Sequence, residues 1–270
     1  MKGIETHYSA NDIETRVLEA IRLAGLDPER RLSPTELAAL DHFHTGGFRA
    51  SLVLRDLARI QTTDRILDVG AGLAGPARML AATPGCHVEC IDLSQDYCVA
   101  ALLLNRLTGL EDRITVKVGS ALDIPYPADS FDVVWMQNVG MNIRNKQRLY
   151  EEICRVLKPG GRFAFQEMVA GNMASTYFPL PWAIDPADTS LVTAAEMSTV
   201  LGRCGFEEIY FADVSEEPLP PPAEGTPEAV AQAPLSLSVY VDDLTQKVDN
   251  AARSLRERQI HLFRGVFRAT

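Results

Sequence analysis

An apolar run that breaks into closely spaced glycines constrains this chain more than any other feature: Arg65-Ile66-Leu67-Asp68-Val69, then Gly70-Ala71-Gly72-Leu73-Ala74-Gly75. The run reads as a buried strand, and a helical pattern follows from Leu73 to Ala82. Glycines at a strand-to-helix turn let the backbone approach a ligand with no Cβ in the way. The unpaired N–H groups of the helix start then face that ligand. Asp92, twenty-two residues past Gly70, closes a second apolar run, His87-Val88-Glu89-Cys90-Ile91. A carboxylate there accepts hydrogen bonds from both hydroxyls of a ribose. The expected ligand is a nucleoside-containing cofactor.

The flanking pattern is α/β. Strands are expected near 65–70, 87–92, 113–118, 131–137 and 161–169, with helices near 73–82, 95–108 and 145–157 between them. This alternation predicts a parallel, doubly wound sheet. A helix near 193–204, a strand at 206–214 and an alternating run at 259–268 follow. Before the first strand lie an amphipathic helix over 11–25, a capped helix start at Ser33-Pro34-Thr35-Glu36, and a helix from Phe48 to Arg59. Residues 1–60 are therefore expected to form a helical cap or lid, and 61–270 the ligand-binding domain, with insertions near 171–192 and 215–258. The second insertion holds Pro218-Leu219-Pro220-Pro221-Pro222, an extended loop, and a charged helix near 242–258. The sequence leaves open whether these make a pocket wall or a subunit contact.

With 270 residues, 46% of them hydrophobic, the chain can bury a substantial core. A net charge of −10 argues against nucleic acid or an anionic membrane as main partner. Met1-Lys2-Gly3-Ile4-Glu5 lacks the apolar stretch of a signal peptide, and no apolar run reaches membrane-spanning length. The five cysteines form no CxxC pair and read as small buried hydrophobes in a reducing, cytoplasmic setting. The five scattered histidines offer no metal spacing, so no metal is expected.

Gly70-x-Gly72-x-x-Gly75 with Asp92 satisfies a dinucleotide fingerprint, which keeps an NAD-dependent oxidoreductase open. Asp68 points elsewhere: a carboxylate beside the glycine loop suits a ligand bearing an ammonium group and repels a pyrophosphate. Gly119-Ser120-Ala121-Leu122-Asp123-Ile124-Pro125-Tyr126, then Ser130-Phe131-Asp132-Val133-Val134-Trp135, would close a third strand with small residues against an adenine and begin a fourth. Val156-Leu157-Lys158-Pro159-Gly160-Gly161-Arg162-Phe163 turns a helix into a strand.

Over roughly 62–170 these motifs together resemble the class I methyltransferases that use S-adenosylmethionine. The resemblance implies a Rossmann-like α/β fold, a seven-stranded, mostly parallel sheet with its last strand antiparallel, preceded by the N-terminal helical cap. It implies a cofactor site made of Gly70, Ala71 and Gly72, Asp92 at the ribose, Leu93, Ser120 and Ala121 at the adenine, and Gln137 at the methionine part. Asp68 is expected to act on the ammonium through water or the loop backbone.

The flanks Asp41–Gly47, Gln137–Ile143 and Tyr177–Ala183 resemble, more loosely, the branch with sarcosine/dimethylglycine-type and other small-molecule methyltransferases. Asn138 stands where related sequences commonly carry a histidine. The expected activity is methyl transfer to a small molecule: an amine such as sarcosine or dimethylglycine, or another metabolite accepting at N, O or C. The expected acceptor contacts are Tyr8, His44, Asn138, Met141, Asn142, Tyr177, Phe178 and Trp182, the aromatics offering cation–π contacts. An acceptor that must lose a proton would use His44 first and Glu167 second as base. His42 is expected to be structural. A catalytically silent cofactor-binding partner subunit is the non-enzymatic alternative, and a homo-oligomer is left open.

Overall fold

The computed structural model describes residues 13–171, 176–217 and 233–270. Its centre is a seven-stranded sheet ordered β3-β2-β1-β4-β5-β7-β6. The strands are β1 (Arg65–Val69), β2 (His87–Asp92), β3 (Ile114–Val118), β4 (Phe131–Gln137), β5 (Leu157–Ala170), β6 (Phe206–Asp213) and β7 (Ile260–Ala269). The first five run parallel, and β7 is antiparallel to both β5 and β6. This is the class I methyltransferase topology that the sequence resemblance implied.

The helices are α1 (Ile13–Leu23), α2 (Pro34–Asp41), α3 (Gly47–Leu57), α4 (Gly75–Ala82), α5 (Gln95–Thr108), α6 (Lys146–Val156), α7 (Ala194–Arg203) and α8 (Leu244–Arg256). Their ends are written in the sequence. Ser33 and Glu36 form a reciprocal capping box on α2, and Thr193 and Glu196 do so on α7. Ser94 caps α5, which stops at the left-handed Gly109.

Strand parity divides the core into two layers. Leu67, Val69, Val134, Met136, Phe163 and Phe165 pack toward α6 and α7. Ile66, Val133, Trp135 and Ala164 pack toward α3 and α4. Burial on both faces explains why these strands read as unbroken apolar runs. A third cluster joins Val17, Ile21, Leu37 and Leu40 of the N-terminal helices to Leu104 of α5 and to Tyr240 and Val241.

Gly75, the third glycine of the fingerprint, serves this packing and not the ligand. A Cβ there would run into the backbone carbonyl of Asp41. The close approach of α2 to α4 lets the buried Arg78 donate to Asp41 (2.7 Å) and Asn105 (2.8 Å). Burial opposes ionisation of Asp41, but Arg78 and His42 beside it hold its carboxyl below the usual range. His42 Nδ1 lies 2.7 Å from Asp41 Oδ1 and its ring meets Phe48 edge-on, a packing position. The five cysteines are free thiols.

Candidate active site

β1, β2 and β4 end at Val69, Asp92 and Gln137, and a cavity of about 840 Å³ opens beyond those ends. That is the edge at which open α/β sheets bind ligands, and the size lies near the upper end for small-molecule sites. Asp68, Gly70, Ala71, Gly72, Asp92, Leu93, Ser120, Ala121 and Gln137 all line it.

The glycine loop is held by the neighbouring strand: the N–H groups of Gly70 and Ala71 donate to the Ile91 carbonyl at 2.8 and 3.1 Å. Gly70 and Gly72 have φ of 70° and 54°, a region that favours glycine. A Cβ on Gly70 would come within 2.5 Å of Val139, whereas one on Gly72 would project into open space. Gly72 thus presents bare backbone to the cavity. Its N–H donates to Asp92 Oδ2 (2.8 Å), and the Ser94 N–H donates to Asp92 Oδ1 (2.9 Å). Each carboxylate oxygen keeps a second lone pair for a ligand hydroxyl. Burial raises the Asp92 pKa, against the pull of these N–H donors.

Asp68 lies behind the loop, 2% exposed, and its Oδ2 has no hydrogen-bond partner. Burial, reinforced by Asp92, pushes its pKa up to about 8. A buried carboxylate oxygen without a donor is costly. A ligand ammonium would supply both the donor and the countercharge, and the open space over Gly72 would admit a nucleoside against backbone. The residues therefore fit S-adenosylmethionine.

The far side of Gln137 is a polar relay. The Trp135 indole N–H, which can only donate, is 2.9 Å from Gln137 Oε1, and this fixes the amide orientation. Ser51 Oγ donates to the same oxygen at 3.0 Å. His44 Nε2 then donates to Ser51 Oγ (3.1 Å), while His44 Nδ1 faces Gln137 Nε2 at 3.4 Å. His44 is thereby a tethered, neutral imidazole, and burial pushes its pKa down to about 3.

Glu167 does not line the cavity. On β5 it shares the parity of Phe163 and Phe165, facing the α6–α7 layer. Its carboxylate accepts N–H bonds from Val139 (2.7 Å), Gly140 (2.8 Å) and Met141 (3.2 Å). Burial pushes its pKa up to about 7, those bonds and Lys146 opposing the rise. The geometry makes it the anchor of the turn after β4 and not a residue of the cavity wall, where a second base was expected.

Asn138, Met141, Asn142 and Trp182 line the cavity, as does His44. Tyr177 and Phe178 do not, a second correction. The Tyr177 ring lies under the Arg253 guanidinium (3.8 Å), its hydroxyl donating to Glu257 (2.7 Å), and Phe178 packs against the Met141–Trp182 cluster. Tyr8 and the proline-rich run 218–222 lie outside the described residues.

Sequence reasoning left the segment around the charged helix open between a pocket wall and a subunit contact; Leu237, Tyr240, Leu244, Val248, Ala251 and Leu255 line the cavity, but the sequence did not single them out. The signal was present: the last four recur at intervals of four, three and four on α8, one helical face beneath a charged exterior. Ser51 was missed too, and its role follows only from the relay. Among the described residues no group of three or more His, Cys, Asp or Glu is placed to hold a metal, and no helix is long and apolar enough to cross a membrane.

Residues 67–165 match the methyltransferase domain family. The glycine/sarcosine/dimethylglycine N-methyltransferase of Actinopolyspora halophila is 39% identical over 157 residues, 58% of this chain and 28% of that protein. The sarcosine/dimethylglycine N-methyltransferase of Aphanothece halophytica is 37% identical over 157 residues, 57% of this chain and 50% of that one. The chain thus spans half or less of either relative's length. Among solved structures, geranyl diphosphate C-methyltransferase from Streptomyces coelicolor A3(2) shares the fold at a TM-score of 0.70 and 18% identity, covering 100% of this chain and 97% of that one.

Proposed function

We propose that the chain is a class I S-adenosylmethionine-dependent methyltransferase whose cavity transfers a methyl group from that cofactor to a small-molecule acceptor. The observation that carries this reading is the convergence, in one cavity, of the bare loop at Gly72, the Asp92 carboxylate and the unpartnered oxygen of Asp68. Asp92 accepts from the ribose hydroxyls, Asp68 pairs with the ammonium, and Leu93, Ser120 and Ala121 flank the adenine. NAD brings no ammonium to Asp68, whose buried oxygen lacks a donor, which weighs against the NAD reading.

Held by these residues, S-adenosylmethionine would supply a methyl already activated on a sulfonium, which the acceptor's lone pair would take while the old bond's electron pair stayed on sulfur. The protein's task is then to hold the acceptor in line and keep competing water away, which contributes roughly 7–11 kcal/mol in well-oriented reactions. Asn138, Met141 and Trp182 place the acceptor. His44, neutral and tethered through Ser51 and Gln137, orients the site and is not the base. A proton released by the alkylated acceptor passes to water at the open side of the cavity, where Val248 is half exposed.

Calorimetry with S-adenosylhomocysteine and with NAD tests the cofactor assignment. Binding of the first alone is expected, and binding of NAD alone would overturn it. A silent partner subunit would bind S-adenosylhomocysteine yet turn over no acceptor in a broad screen.

A further inference from the structure

We propose, resting on the methyl-transfer reading of this cavity, that its acceptor is a neutral molecule with an extended apolar body laid along α8 and one polar end at Asn138. The α8 stripe of Leu244, Val248, Ala251 and Leu255 forms one side of the acceptor half, with Met141 and Trp182 also lining it. The Trp182 indole N–H donates to Thr189 (3.1 Å), so its ring is left as apolar surface. The α8 wall lies outside residues 67–165, the part matched by the methyltransferase domain family. Family membership therefore does not dictate what this wall receives.

Charge decides between acceptor classes. Among the described residues the only cationic side chain lining the cavity is Arg144, which is exposed at the rim. Lys146 is buried nearby, but its Nζ donates to the carbonyls of Gly140 (2.7 Å), Ile143 (2.5 Å) and Ser190 (2.7 Å), which uses all three protons. An acceptor carboxylate would be desolvated there with no cation to meet it. A diphosphate would need a metal or a cationic cluster, and the described residues offer no metal group. An ammonium would want several free ring faces, but of the aromatic residues lining the cavity Phe43 and Tyr97 pack edge-on against Tyr240, and Trp182 stands apart from them beside Met141. Asp41 is committed to Arg78 and His42, and Asp188 accepts from the N–H groups of Ile184 and Asp185.

Asn138 offers a polar contact for an uncharged end. Asn138 adopts φ 55° and donates its N–H to the Gln166 carbonyl (2.8 Å), while its side-chain oxygen is buried without a partner. That oxygen suits a single O–H or N–H donor on an otherwise apolar molecule.

The test titrates 1-hexanol, 1-octanol and 1-decanol, with sarcosine and dimethylglycine as ionic probes, into the protein saturated with S-adenosylhomocysteine. Alkanol affinity is expected to rise about threefold to fourfold per added methylene, with no measurable sarcosine binding. Val248→Glu should weaken decanol at least about tenfold by setting a charge against the chain, and leave S-adenosylhomocysteine affinity intact. Val248 is 46% exposed, so this variant keeps its fold. Ala252→Trp should shorten the chain length at which affinity stops rising. A flat alkanol series, or sarcosine binding tighter than octanol, would overturn the proposal. Failure of S-adenosylhomocysteine to bind the folded parent would instead overturn the methyl-transfer reading, a distinct outcome.

Discussion

The two halves of the cavity are built by different means. The cofactor half is made of strand ends and backbone: a loop pinned by the Ile91 carbonyl, a carboxylate holding the Gly72 N–H, and a glycine beside Val139 with no room for a Cβ. The acceptor half is a surface of side chains from segments far apart in the chain, residues 141–145, 181–190 and 237–255. In the first, almost any substitution moves backbone. In the second, a substitution changes the shape of a wall. The difference separates what the fold requires from what one substrate requires, since function lives in sites grafted onto a scaffold.

Asp92→Ala should break the cofactor half most severely. It removes the carboxylate proposed to accept from the ribose hydroxyls and, with it, the partner of the Gly72 N–H. Hydrogen bonds to charged groups contribute about 1.5–3 kcal/mol each, so S-adenosylhomocysteine affinity should fall at least about a hundredfold. Calorimetry on a variant that melts like the parent checks this, and undiminished affinity would remove Asp92 from the site.

Asp68 gives the same half a pH signature. With its pKa pushed up to about 8, it is largely protonated at neutrality in the free protein. A bound ammonium favours the ionised form, so binding releases protons and affinity should climb from pH 6 to pH 8. Asp68→Asn should lower affinity about tenfold at pH 8 and flatten the climb. Stability runs the other way. An acid whose folded pKa lies above its unfolded value binds more protons folded than unfolded, so its ionisation costs stability from about pH 4 up to about pH 8. The free Asn variant should therefore outlast the parent in thermal melts by a margin that widens over that range. A constant margin would mean that Asp68 titrates normally.

The cofactor half was far more legible in the sequence than the acceptor half, for a physical reason. Gly70, Gly72, Asp68 and Asp92 owe their positions to strand ends and a tight turn, which leave local patterns. Gly75 shows the limit: the same spacing serves a helix approaching another helix, a contact with a residue 34 positions earlier (75 minus 41). Glu167 was misplaced because strand parity turns it toward the Phe163–Phe165 layer, and parity along a strand buried on both faces is invisible in an unbroken apolar run. The α8 wall was readable as a stripe of Leu244, Val248, Ala251 and Leu255, but what the stripe faces depends on how α8 packs.

His44 sits at the seam between the halves. As an orienting group with a pKa near 3, it stays neutral across the working range. His44→Ala should lower turnover roughly tenfold by loosening Ser51 and Gln137, by the same factor at every pH from 6 to 9, with cofactor affinity near normal. A loss confined to one side of a neutral pKa would mark His44 as a base and overturn the orienting role.

The smallest effect sharpens the acceptor half by contrast. Tyr177 and Trp182 lie five positions apart on one segment, yet only Trp182 lines the cavity. Tyr177→Phe removes one hydroxyl from Glu257 and keeps the ring under Arg253. Stability should change by no more than about 0.5 kcal/mol, with acceptor KM and turnover unmoved. Trp182→Ala should raise acceptor KM and leave S-adenosylhomocysteine affinity alone, because its indole is wall and its tether to Thr189 lies outside the glycine loop. Equal responses at the two positions would show that the segment acts on the acceptor as a whole, and the boundary between wall and support would have to be redrawn beyond Tyr177.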